Sequence, residues 1–206
     1  MRTTPSTHPS AAMIYELEMT LHESAPRIWR RLLVPGTTTV HRLHHILQAL
    51  MLWEDYHLYE FTVDGVPYGI YEPEFADEQP VKNARQTRLA DVAGPVGAAF
   101  TYLYDFGDSW QHDLVVRAIR QPDPRQHYPL CVAGERAGPP EDCGGIWAYT
   151  DLVALLERGP SEEVEGEDGD DGEDGDYDEM LTWLGGDFDP AGFDRNTVNR
   201  RLHRLR

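Results

Sequence analysis

The sequence predicts an α+β fold: a mostly antiparallel sheet with packed helices and a helical C-terminal part. Three observations carry this. Strand-like alternation fills roughly the first 120 residues, helical spacing dominates the last 60, and the strand-like stretches come in pairs joined by tight-turn residues. Strands gathered before helices, without βαβ alternation, favour an antiparallel sheet over a parallel one.

Each element follows from local chemistry. MIYELEMTL (13–21) alternates Tyr15, Leu17, Met19 and Leu21 with Glu16, Glu18 and Thr20, the pattern of a half-buried strand. Pro26 interrupts it, and RIWRRLLV (27–34) reads as a second strand with Ile28, Leu32 and Val34 on one face, making a hairpin. PGTTT turns the chain, with Thr38 or Thr39 as N-cap of the helix VHRLHHILQALMLW. There Val40, Leu43, Leu47 and Leu50 recur at helical spacing. HLYEFTVDGVPYGIY holds two short strands about Asp64-Gly65, a strong hairpin signal. Residues 72–95 read as loop with a short helix at RLADV. AAFTYLYDF (98–106) sets Phe100, Tyr102, Tyr104 and Phe106 on one face, and SWQHDLVVRAIR (109–120) returns with Trp110, His112, Leu114 and Val116 together. Phe106 to Ser109 is then the turn. QPDPRQHYP and AGPPEDCGG read as loops. Thr150 is expected to cap the helix DLVALLERG, which ends at Gly159-Pro160. DEMLTWLGG is a short helix, and Asp194 opens the last one.

The net charge of -18 is unevenly spread. Residues 161–179, SEEVEGEDGDDGEDGDYDE, hold 12 of the 36 acids and no base, so the rest carries 24 acids against 18 bases. That stretch reads as a disordered acidic insert in a single α+β domain spanning 13–206, after a flexible leader, 1–12. The leader has no apolar core of a secretion signal, and no stretch approaches 18 apolar residues. A cytoplasmic protein without membrane contact is expected. The acidic balance disfavours nucleic acid as a partner, and a protein partner is expected instead. The exception is the C-terminal helix, where Arg200, Arg201 and Arg204 offer a weaker nucleic-acid reading.

IWRRLLVP, LHHILQALMLWEDYHLYEF, YLYDFGDSWQHDL, PPEDCGGIWAY and LTWLGGDFDPAGFD follow one another in that order. Together they resemble the plasmid pRiA4b ORF-3-like family, also known as a passenger protein of insertion elements. The likeness spans roughly residues 13–200. It implies a compact α+β roll and an association with mobile elements, and it implies no reaction. Leu52 stands where the family commonly has Gly, and the acidic insert is longer than the resemblance would lead one to expect.

The candidate chemistry gathers in two loops. Tyr104, Asp105, Asp108 and Trp110 in the hairpin, with Pro140, Glu141 and Asp142 in PPEDCGG, form a candidate binding surface. Asp105, Asp108, His112, Cys131 and Cys143 form a candidate ligand set for a divalent transition metal (Zn, Mn or Fe), since carboxylate, imidazole and thiolate suit such ions. Against this, Asp108 in a turn and His112 at the core edge are ordinary structural residues. The two cysteines are twelve apart, which excludes a zinc ribbon; they read either as two buried free thiols or as part of a shared site. Cys143 acting as a nucleophile would need His112 or His57 beside it. His41 and His45 lie at i,i+4, a spacing that can chelate a metal, although HExxH is absent. The acidic run lacks the Gly of an EF-hand loop. P-loop, GxGxxG and GxSxG motifs are absent too. The leading expectation is a binding or accessory module, with a metal-dependent hydrolase as the alternative.

Overall fold

A computed structural model describes residues 13–70, 81–159, 180–186 and 188–205. The leader (1–12) and all of the acidic insert, 161–179, lie outside the described residues. The fold is α+β, built on an eight-stranded sheet.

In chain order the elements are β1 (Ile14–Leu21), β2 (Trp29–Pro35), α1 (Val40–Met51), β3 (Tyr59–Val63), β4 (Val66–Gly69), β5 (Lys82–Asn83) and α2 (Leu89–Val92). There follow β6 (Ala99–Tyr104), β7 (Trp110–Arg120), β8 (Leu130–Glu135), α3 (Gly145–Arg158) and α4 (Arg195–Arg204), with residues 180–184 also helical. The sheet order is β5-β4-β3-β6-β7-β1-β2-β8. Every neighbouring pair is antiparallel except β4–β5.

Register puts the apolar alternates on one face. Leu17 lies opposite Leu32 and Val116, Tyr102 opposite Phe61 and His112, and Tyr104 opposite Tyr59 and Trp110. Residues directly opposite share a face, so these form a continuous aromatic and aliphatic core with Leu43, Leu47 and Leu50 of α1. Thr39 caps α1, its hydroxyl accepting from the Arg42 N–H.

The outer face hides a surprise. Glu16 and Glu18 are buried, because arginines from neighbouring strands close over them. Arg27 and Arg117 each donate to Glu18 at 2.7 Å, Arg31 also binds Glu18, and Arg120 binds Glu16. Burial alone would raise the Glu18 carboxyl, but the bonds from Arg31, Arg27 and Arg117 outweigh it and hold it at about 2.

Several expectations are corrected. β8 falls in a stretch assigned no element, and β5 inside one read as loop. α3 begins at Gly145, not after Thr150; the Thr150 hydroxyl instead donates to the Ile146 carbonyl inside the helix. Phe106 leaves the aromatic face. The strand ends at Tyr104, since Asp105 takes a left-handed φ of 56° and swings the chain into the turn.

Candidate functional site

Three loops meet at one rim of the sheet: residues 52–58 after α1, the β6–β7 turn, and residues 136–144 before α3. The Tyr104 hydroxyl is the knot. It donates to Glu141 Oε1 at 2.6 Å and accepts the Tyr56 N–H at 3.0 Å. Burial, reinforced by Glu141, raises this hydroxyl well above the usual phenol range, so it remains a donor. Glu141 Oε2 accepts the Glu54 N–H at 2.6 Å, and the Trp53 indole donates to the Pro139 carbonyl at 2.7 Å.

Two glycines permit the close approach. A Cβ on Gly138 would lie 2.5 Å from the Met51 carbonyl oxygen, and one on Gly145 would lie 2.6 Å from that of Asp108. The Gly144 N–H also donates to Asp108 Oδ2 at 3.1 Å. The hairpin and the PPEDCGG loop, read separately in the sequence, are therefore joined.

At the outer end of the rim three ligand-type side chains converge. His57 Nε2 lies 2.9 Å from Asp142 Oδ1 and 3.6 Å from Asp105 Oδ2. One ligand atom from each of His57, Asp105 and Asp142 falls within 4.8 Å of the others. Both aspartates stand on left-handed backbone, φ 56° and 59°. Asp105 is positioned by its own turn: Oδ1 accepts the Gly107 N–H at 2.9 Å, and its N–H donates to the Leu58 carbonyl at 2.9 Å.

The sequence candidates divide accordingly. Asp105, Glu141 and Asp142 meet at the rim with Tyr104 behind them, and Pro140 is partly buried beside them. Of the five expected metal ligands, the structure does not gather one cluster. Asp108 and Cys143 are neighbours, and Asp108 adds to the burial that pushes the Cys143 thiol up to about 12. A thiol so placed stays protonated at neutral pH, which disfavours a Cys143 nucleophile. Cys131 sits in β8, buried, its backbone paired with the Asn199 amide, and burial pushes its thiol up to about 11. Both cysteines are free.

His112 is fully buried among Trp53 and Tyr102, with its ring nitrogens making no well-formed hydrogen bond beside the backbone of Tyr102 and Trp110. Burial lowers it to about 4, so it stays neutral. Trp110 is enclosed as well, packed against Trp53. Of the terminal arginines, Arg195 donates to the Val132 carbonyl, Arg200 to Thr197, and Arg201 to Leu52 and Glu54.

Sequence reasoning missed two features. His57 was considered only as a base for Cys143; its partners Asp105 and Asp142 lie 48 and 85 residues along the chain. Arg30, in the apolar register of β2, is buried and donates to the carbonyls of Leu50, Trp29 and Glu135, with Phe193 stacked at 4.3 Å. A basic residue in phase with Ile28, Leu32 and Val34 was the available signal. Beside it lies a cleft of 540 Å³, lined among others by Leu52, Trp53, Pro140, Trp183 and Phe193.

Fold and site together define an α+β protein with its polar groups gathered on loops at one rim of a mostly antiparallel sheet. The chain belongs to the plasmid pRiA4b ORF-3-like family, whose model matches residues 13–197. It is 32% identical over 195 residues to the uncharacterized protein y4hQ of Sinorhizobium fredii, covering 94% of this chain and 93% of that one. It is also similar to the crystal structure of a protein of unknown function, MM3350 from Methanosarcina mazei Go1. The TM-score there is 0.75 at 35% identity, covering 90% of this chain and 96% of the other. No described helix is long and apolar enough to cross a membrane.

Proposed function

We propose that this protein is a binding module, an accessory component of a mobile element, and that the rim is its contact surface for a partner protein. One observation carries the reading. The three joined loops and the start of α3 leave large apolar side chains in solvent: Trp147 is 75% exposed, Tyr56 72%, Leu58 61% and Phe106 53%. Exposed apolar groups beside polar ones mark interaction sites more often than singly scattered ones do. The loops that carry them are tied by Tyr104, Glu141 and Asp108, so the surface is held in shape before any partner arrives. The exposed Asp142 adds negative charge, while Glu54 is paired with Arg201. The fitting partner is a protein segment with apolar side chains flanking a Lys or Arg.

A displayed random-peptide library panned against the full chain tests this. Enrichment of apolar sequences carrying Lys or Arg is expected, with loss of binding in Phe106→Ala and Asp142→Asn. Peptides that bind both variants as tightly as the wild type would refute it.

A second reading, metal-dependent hydrolysis, is favoured by the His57–Asp105–Asp142 triad, a donor set that suits Zn, Mn or Fe. A metal-bound water would be the nucleophile there. Phosphoester or amide hydrolysis that needs added metal and is lost in His57→Ala would establish it; no turnover with any of the three ions would exclude it.

A further inference from the structure

We infer that the exposed edge of α1 is a second, separate site, in which His41 and His45 hold one divalent ion of the zinc class. The two residues are one helical turn apart, and both rings are partly open to solvent. Their Nε2 atoms lie 3.3 Å apart, with the rings edge-on at 73°. Two nitrogens bound to tetrahedral zinc at about 2.0–2.1 Å are themselves roughly 3.3–3.4 Å apart. The separation therefore matches that of two nitrogens on one ion, which would replace the hydrogen bond the two rings share without it.

The opposite edges of both rings are already held. His45 Nδ1 lies 3.0 Å from Asp55 Oδ2, and His41 Nδ1 lies 2.8 Å from the Tyr59 hydroxyl. Metal-binding histidines characteristically give their second nitrogen to an oxygen in this way, which fixes tautomer and orientation. With the hydrogen of His45 on Nδ1, beside the Asp55 carboxylate, its Nε2 turns a lone pair toward His41. The clamp is anchored in the core. Asp55 Oδ1 meets His44 Nε2 at 2.6 Å, and His44 Nδ1 meets the Tyr102 hydroxyl at 2.7 Å, to which Gln48 also donates.

The donor chemistry selects the ion. Two imidazoles suit Zn²⁺, Ni²⁺ or Cu²⁺ and not Mg²⁺ or Ca²⁺, which prefer oxygen. Two protein ligands leave open positions for water or for an anion. None of these atoms belongs to the His57–Asp105–Asp142 triad, so the two sites are separable by substitution.

The test is Zn²⁺ titration of the untagged, metal-free full chain by calorimetry, with Co²⁺ visible absorption as a second readout. One ion per chain is expected at this site. His45→Ala and His41→Ala should each weaken binding by at least about 10-fold, Tyr59→Phe by about 10-fold, and His57→Ala should leave this binding unchanged. Alanine is the best helix former, so the half-exposed His45→Ala keeps α1 intact and decides the matter if His41→Ala fails to fold. No uptake by the wild type, or uptake unaffected by His45→Ala, would overturn the inference. So would loss of this binding in His57→Ala.

Discussion

The inner face of the sheet and its rim use the same residue types in opposite ways. On the inner face, His112 and Trp110 are enclosed, and Arg30 spends its donors on backbone carbonyls. At the rim, His57 meets carboxylates, while Trp147 and Phe106 stand in solvent. The difference is set by backbone. Residues in strand register alternate between two faces, and Trp110, His112 and Arg30 fall on the one that meets the core. Residues on left-handed turns such as Asp105 and Asp142 escape the register and project into shared space. A tryptophan or histidine motif is therefore informative about function only once its place in the register is known.

Substitutions sharpen this contrast, starting with the largest effect. Trp110→Ala should destabilise the fold by about 3–5 kcal/mol, as emptying a buried aromatic site does. Trp147→Ala should change stability by no more than about 0.5 kcal/mol while weakening partner capture. Urea denaturation of the two variants side by side checks both, and equal losses would erase the distinction.

The pH dependence of stability comes next. His112 titrates near its ordinary value of 6.5 when unfolded and at about 4 when folded. Between these values the unfolded chain binds the extra proton, so stability falls as pH drops from 6.5 towards 4, by about 3 kcal/mol at most. His112→Leu should flatten part of that slope; His44, also lowered to about 4 by burial, accounts for a similar share. Glu18 acts lower. Its folded carboxyl is at about 2 against an ordinary 4.5, so its contribution is present above 4.5 and is lost as pH falls towards 2. Its arginine partners are half-exposed, which limits this to about 1 kcal/mol and makes it salt-sensitive.

Tyr104→Phe should cost about 1–3 kcal/mol, since it strips a partner from Glu141 and from the Tyr56 N–H. Hydrogen exchange should speed up at residues 54–57 and 141–144 and not in β1 or β7. Uniform acceleration would mean that the rim is not a separate unit.

How much was legible depended on range. The Thr39 cap, the Asp64-Gly65 turn and the alternation of β6 and β7 are local, and each was readable from neighbouring residues. β8 was not, because LCVAGE is short and mixes small residues with apolar ones; its strand character comes from pairing with β2. The burial of Glu18 depends on arginines from β2, β7 and the loop before β2, so its alternation with apolar neighbours suggested an open face. The family motifs lie on the loops that meet at the rim. That Asp105 and Asp142 reach His57 rests on pairings 48 and 85 residues distant in the chain, much as Tyr104 binds Tyr56 across 48 residues and Glu141 binds Glu54 across 87. Local pattern carries no information about such closure.

The most direct measurement is the affinity of the best library-selected peptide for the wild type, Tyr56→Ala and Phe106→Ala, with the thermal midpoint of each recorded. A rim that binds predicts affinity lowered by about 10-fold or more in both variants at an unchanged midpoint. Affinity unchanged at an unchanged midpoint would contradict it, and would make the exposed aromatic rim no part of the protein's contact surface.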